Sequence, residues 1–206
     1  MSTRKRELSK QETRTALIAA GAAEFTEKGI EGASLDAICA RAGFTRGAFY
    51  VHFKDRDDLL MAIVDILVSG FQAAVITTGE AADLETTVAR YVAAVIAGSP
   101  ATRSIGQWYF HNTLAACSRS PAMRERYVAL QREAMAKVAE GTRAGQRAGK
   151  VRTDIDPDAL AELLVTLTLG ITVMRDLKYP LDIARGGATI STLVRAPKPR
   201  RKRSSR

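Results

Sequence analysis

Apolar positions recur at helical spacing along almost the whole chain, and no stretch alternates with the period of two that marks a strand. Leu17, Ile18, Gly21, Ala22 and Phe25 form the first stripe and predict a helix over about residues 10–28, closed by Gly29. After the turn Glu31-Gly32-Ala33, Ser34 suits an N-cap, its hydroxyl able to accept from a free amide of the first turn. Asp36 follows where the helix dipole favours a carboxylate. Leu35, Ile38, Cys39 and Ala42 make the inner face of this second helix, Gly43 ends it, and Phe44 is expected to plug the core. Thr45 then caps a third helix, Thr45-Arg46-Gly47-Ala48-Phe49-Tyr50-Val51-His52-Phe53-Lys54. Phe49 and Phe53, four apart, anchor one face, and the rest is hydrogen-bonding, cationic or bare backbone. Two short helices joined by a glycine-containing turn form a helix-turn-helix, whose second helix suits a DNA major groove.

Asp55 caps a fourth helix with Asp57 and Asp58 in its first turn, and Leu59, Leu60, Ile63, Ile66, Leu67 and Phe71 carry its stripe to about residue 72. Residues 73–82 pattern weakly and contain Gly79. Helices are predicted over about 84–97, ending at Gly98-Ser99-Pro100, and over about 103–117. Ser120-Pro121 and Asp156-Pro157 repeat one start signal, an N-cap followed by proline at the first helical position. The first opens a long helix ending near residues 145–149. The second opens one with Leu160, Leu163, Leu164, Leu167, Ile171, Met174 and Leu177 on a stripe broader than one packing partner needs, broken by Pro180. A last helix, 181–194, contains Gly186-Gly187, which costs roughly 2 kcal/mol of propensity relative to alanine. The fold class is therefore all-α.

Charge sharpens the picture. The 206 residues are 46% apolar, enough for a proper core, and carry a formal charge of +9. Residues 195–206 hold seven cations and no acid, and residues 1–10 are net +3, leaving −1 for the body between. That distribution favours a polyanionic partner such as nucleic acid. The run from Arg195 cannot bury anything and is expected to be disordered. Cys39 and Cys117 have no metal or disulfide-framework spacing and fit a reducing compartment. The charged N-terminal stretch lacks the apolar run of a secretory signal, and no uninterrupted apolar run approaches bilayer length. A soluble cytoplasmic protein without a membrane association, metal or other cofactor is expected. No nucleophile–base pair, metal constellation or phosphate loop points to an enzyme.

The order and spacing of Ala23-Glu24-Phe25, Gly29, Ser34-Leu35-Asp36-Ala37-Ile38 and Ala42-Gly43-Phe44 onward to Leu60 resemble the DNA-binding domain of the TetR family of transcriptional regulators. The likeness covers about residues 10–67. It implies phosphate contact at Ser34 and base-edge contact at Thr45, Arg46 and Gly47. It also implies backbone contact at Tyr50 and His52, and a cation at Arg56. Arg41 and Lys54 are further candidates for phosphate, of lower rank. Val51 and Ala48 depart from the bulkier aromatic and the polar reader that many relatives carry there.

For the rest of the chain the resemblance implies a ligand pocket between helices and a dimer interface built from the last two. Trp108, Tyr109, His111, Asn112 and Tyr127 combine apolar bulk with hydrogen-bonding tips and are the pocket candidates, with Tyr91 and Met174 completing the wall. Leu163, Leu167, Gly170, Ile171 and Met174 are the candidate dimer seam. The expected division is a basic arm and helix-turn-helix head over 1–56, with the fourth helix as linker to about 72. An effector-binding and dimerisation region over 57–194 and a basic tail over 195–206 follow. The implied function is a repressor that binds a palindromic double-stranded DNA operator as a homodimer and is released by a small-molecule effector. The alternative is an architectural or co-regulatory helix-turn-helix protein without an effector, which the lack of a cavity of a few hundred Å³ would favour.

Overall fold

The computed structural model describes residues 3–76 and 84–197, and among them ten helices and no strand. Helix α1 (Thr3–Gly32) starts earlier than expected but is interrupted at Gly29, whose φ of 71° lies in the left-handed region. In α2 (Leu35–Ala42) the Ser34 hydroxyl accepts from the Ala37 amide at 3.1 Å, and Gly43 stops the helix with φ 73°. Helix α3 is only Arg46–Tyr50, half the predicted stretch; a tight turn then carries Phe53 back under it. Phe44 does not plug the core. It sits 36% exposed, because Phe49 and Phe53 already fill the space beneath the turn, at 0% and 2% exposure.

Helix α4 (Arg56–Val75) opens on the predicted Asp55 cap, the carboxylate accepting from the Asp58 amide at 2.8 Å. It packs Leu59, Leu60 and Ile63 onto α1, where Gly21 lets the helices close: a Cβ there would lie 2.7 Å from Leu59 Cδ2. The same apolar core continues past this head to Ile105, Ala116 and Met123. Helix α5 (Leu84–Ala97) follows the predicted bounds. The helix expected over 103–117 is instead two, α6 (Pro100–Ile105) and α7 (Phe110–Arg119), separated at Gly106 with φ 87°. Helix α8 (Pro121–Arg147) and α9 (Pro157–Asp176) start on the predicted Ser-Pro and Asp-Pro signals. Helix α9 stops before Pro180: Lys178 turns left-handed (φ 57°), and the Tyr179 amide returns to the Met174 carbonyl at 2.9 Å.

Helix α10 (Ile183–Val194) forms despite its two glycines. Gly187 is buried where α10 crosses α5, and a Cβ there would meet Val92 Cγ2 at 2.7 Å and Val88 Cγ1 at 3.3 Å. Close packing offsets the weak helix propensity. Gly187→Leu is expected to push α10 off α5 and cost about 1–3 kcal/mol, seen as a lowered thermal midpoint. Gly186→Ala, at a site with open space around it, is expected to be neutral or stabilising in the same measurement.

The C-terminal segment stays ordered beyond Val194. Arg195 bridges Val151, and the Ala196 amide donates to the Lys150 carbonyl at 2.9 Å, so the expected start of disorder at Arg195 is corrected. The remainder of the basic run, 198–206, lies outside the described residues, as do residues 77–83.

Helices α4 and α9 are long and apolar enough by length and composition to cross a membrane, although neither is an uninterrupted apolar run. Polar groups break both. Asp65 of α4 is ion-paired to Arg126 at 3.0 Å, and α9 carries Glu162 and Arg175.

Candidate DNA-reading face and internal cavity

The head is built so that α3 has one fixed side. Phe49 is fully buried, with Tyr50 edge-on to it at 5.6 Å and Phe53 tilted against it at 5.4 Å. Arg14 lies over the Phe53 ring, 5.2 Å from its centroid. The Thr45 hydroxyl accepts from the Ala48 amide at 3.2 Å and sets the helix start. Thr45, Arg46, Gly47, Tyr50 and Lys54 are thereby left together on the exposed side, with the Ser34 cap of α2 also exposed. Arg46 pairs with Asp36 at 3.1 Å, but both side chains are mostly exposed, and such a surface pair is weak enough to exchange for a base edge.

Three other expected contacts have internal commitments. Arg56 donates to the Ala33 carbonyl at 2.6 Å, tying the start of α4 to the corner between α1 and α2. His52 is half-buried; burial, then the nearby charges of Arg14 and Lys10, hold its imidazole below the ordinary range, which favours the neutral ring. Arg41 forks onto Glu24 at 2.8 Å and onto both oxygens of Glu27, which locks α2 to α1. Glu24 is buried, and the ammonium of Lys28 and then Arg41 keep its carboxyl below the usual range.

Away from the head, α4, α5 and α7–α10 enclose a cavity of about 630 Å³. Tyr91, Trp108 and Tyr127 line it as expected; Tyr109, His111, Asn112 and Met174 do not. The break at Gly106 is the reason. Because α7 restarts at Phe110, Phe110 and Thr113 face the cavity instead, while His111 points to solvent with Tyr109 stacked on it at 5.5 Å, and Asn112 is buried elsewhere. Met174 lies on the far side of α9, 43% exposed. Sequence reading also missed the α4 residues Phe71 and Gln72; the Gln72 amide, buried, donates to the Leu130 carbonyl at 2.8 Å. A polar residue on the apolar stripe of a long helix was the available signal. Burial, with a smaller push from Cys117, raises the Tyr127 hydroxyl to about 12, so it remains a neutral donor. Burial likewise raises the thiols of Cys39 and Cys117, leaving neither a reactive thiolate.

The broad stripe of α9 resolves into two. Leu164, Thr168, Ile171 and Arg175 face the cavity. Leu163, Leu167, Gly170, Met174 and Leu177, alternately four and three apart, run down the exposed side. Ile171 therefore leaves the expected seam for the cavity wall, Leu167 borders both, and Leu177 joins the exposed row at 71% exposure.

Residues 17–63 match the family described as bacterial regulatory proteins, tetR family. Residues 85–196, more than half of the chain, match the C-terminal region of BetI-type transcriptional repressors. Among characterised relatives, the transcriptional repressor BepR of Brucella suis is 42% identical over 53 residues, 26% of this chain and 25% of that protein. The regulator AcrR of Shigella flexneri is 40% identical over 63 residues, 31% of this chain and 29% of that protein. The chain thus matches only a quarter to three tenths of the length of these relatives. Over nearly the whole fold it is similar to SmeT, the repressor of the Stenotrophomonas maltophilia multidrug efflux pump SmeDEF. That structure has 25% identity and a TM-score of 0.69, covering 91% of this chain and 93% of the other. The SmeT–triclosan complex superimposes with a TM-score of 0.73 at 24% identity, covering 90% and 92%.

Proposed function

Because the chain belongs to the TetR family of bacterial transcriptional regulators, we propose that it is a cytoplasmic repressor that binds a palindromic operator as a homodimer and leaves it when a small molecule fills the cavity. The observation that carries this reading is that the helices walling the cavity also hold the head. Helix α4 contributes Leu67, Phe71 and Gln72 to the wall, and at its other end Arg56 grips the Ala33 carbonyl. Helix α7 contributes Phe110 and Thr113, and its last residue, Arg119, pairs with Glu31 at the end of α1 and with Asp57 of α4. The Thr26 hydroxyl adds a bond at 2.8 Å to the Gln107 carbonyl, just before α7.

An effector that binds one arrangement of α4 and α7 better than the other shifts the spacing between the two heads of a dimer. DNA and effector then compete through their differential affinities. The 1–56 head, the linker part of α4 and the 57–194 body divide these tasks. A cavity of about 630 Å³ supports this reading over an effectorless architectural protein. The SmeT–triclosan complex supports it by analogy, being a protein of similar fold in complex with triclosan.

Footprinting on DNA flanking the gene tests the proposal, with a protected palindrome expected. Arg46→Ala is expected to cost about 1–3 kcal/mol on that operator and to relax preference at one base pair. Equal losses on operator and random DNA would remove Arg46 from base reading.

A further inference from the structure

Resting on the reading of the cavity as the effector site, we propose that the effector is an apolar carboxylic acid, its body in the cavity and its carboxylate between the Tyr91 hydroxyl and the Arg175 guanidinium. The body of the cavity is walled mainly by aliphatic and aromatic side chains from α4, α5 and α8, with Gln72, Thr87 and Gln131 among them, so a ligand gains by burying apolar surface there. Its polar end lies toward α9 and α10. The Tyr91 ring is held edge-on against Phe71 at 5.8 Å, and its hydroxyl is buried without a hydrogen-bond partner. The neighbouring Thr168 hydroxyl donates its proton to the Leu164 carbonyl at 2.8 Å and gives the Tyr91 oxygen only a weak interaction short of a hydrogen bond. A buried hydroxyl left unpaired is costly, and a ligand oxygen accepting from it removes that cost.

Arg175 is one helical step from Ile171 on the cavity-facing stripe of α9; burial pushes the Tyr91 hydroxyl above its ordinary range, and Thr168 and then the charge of Arg175 offset part of that push. Arg185 also lines the cavity, and neither guanidinium has an ion-pair or hydrogen-bond partner among the described residues. The acids at this end are already engaged. Asp182 caps α10, accepting from the Arg185 amide at 2.9 Å, and Asp176 accepts from the Phe110 amide at 2.5 Å. The cavity lining therefore holds two free guanidiniums against one committed carboxylate. It complements an anion and repels a lipophilic cation, and a carboxylate matches the guanidinium fork.

Trp108 is the one tryptophan of the sequence and lies in the cavity wall, so its fluorescence reports binding in the full chain. The probes are decanoate, decanol and decyltrimethylammonium, which share one chain length and differ in head charge, each kept below its micellar range. Decanoate is expected to bind on the order of tenfold tighter than decanol, with the ammonium weakest. Arg175→Gln, a change at an exposed side chain, should bring decanoate to the level of decanol and leave decanol unaltered. Tyr91→Phe should weaken both oxygen-bearing probes. Decanol or the ammonium binding as tightly as decanoate would overturn the anionic class while leaving the cavity as an effector site. A decanoate preference that survives Arg175→Gln would overturn the assignment to that residue. No fluorescence change with any probe, in a natively helical protein, would overturn the effector site itself and this inference with it.

Discussion

The double substitution Leu163→Glu and Leu177→Glu is expected to leave the chain folded but monomeric, and to abolish operator binding at concentrations where the native protein binds. Both leucines are largely exposed, at 69% and 71%, yet they begin and end the row that continues through Leu167, Gly170 and Met174. An apolar row of this length on a water-facing helix implies a partner surface. Helix α9 is not apolar all round, since Thr168, Thr172 and Arg175 face the cavity, which argues for a protein partner over lipid. A second copy supplies the same row, and Gly170, with open space where a Cβ would stand, permits close approach of the two helices. Each carboxylate buried in that seam would cost several kcal/mol, and a symmetric dimer would carry four of them. Neither leucine lines the cavity, so probe binding by the monomer should persist. Sedimentation and gel-shift titration check both halves; a dimer that survives both substitutions would place the interface elsewhere.

Phe49→Ala should be the most damaging single change in the head. The side chain is fully buried between α1, α2 and Phe53, and losing it costs about 3–5 kcal/mol through lost burial and the cavity left behind. Helix α3 has five residues, too few to be stable without its packing, so the loss falls on the recognition helix directly. Thermal unfolding should show the drop, and operator and random DNA should both lose affinity. Arg46→Ala differs in kind: it is expected to leave the unfolding midpoint unchanged and weaken the operator selectively. Phe49→Leu, which restores most of the apolar volume, should recover most of the stability. Full operator affinity in Phe49→Ala would mean that α3 does not depend on this anchor.

The head was largely legible because its signals are local. Ser34, Gly43, Thr45 and Asp55 each act within four residues of themselves, through a cap hydrogen bond or a left-handed φ, and all four act in the structure as their residue types predict. The commitments of Arg56 and Arg41 were not legible. Their partners, Ala33 and Glu24, are 23 and 17 residues away, and a cation near a recognition helix looks the same whether it meets phosphate or carbonyl.

By itself the sequence determined the all-helical class, the bounds of α2, α5, α8 and α9 within a few residues, and which side of α3 is free. Periodicity and capping act over one or two turns, and a single chain carries that information completely. Tertiary structure alone decided what the larger helices face. The left-handed turn at Gly106 set the phase of α7, so Phe110 and Thr113 took the cavity positions expected, from side-chain chemistry, for His111 and Asn112. Packing divided the stripe of α9 into a cavity wall and an exposed apolar row, and the approach of α5 turned Gly187 from a helix weakness into a requirement. Each of these depends on atoms brought together from distant parts of the chain, where the pattern of apolar residues says that a surface is buried but not against what.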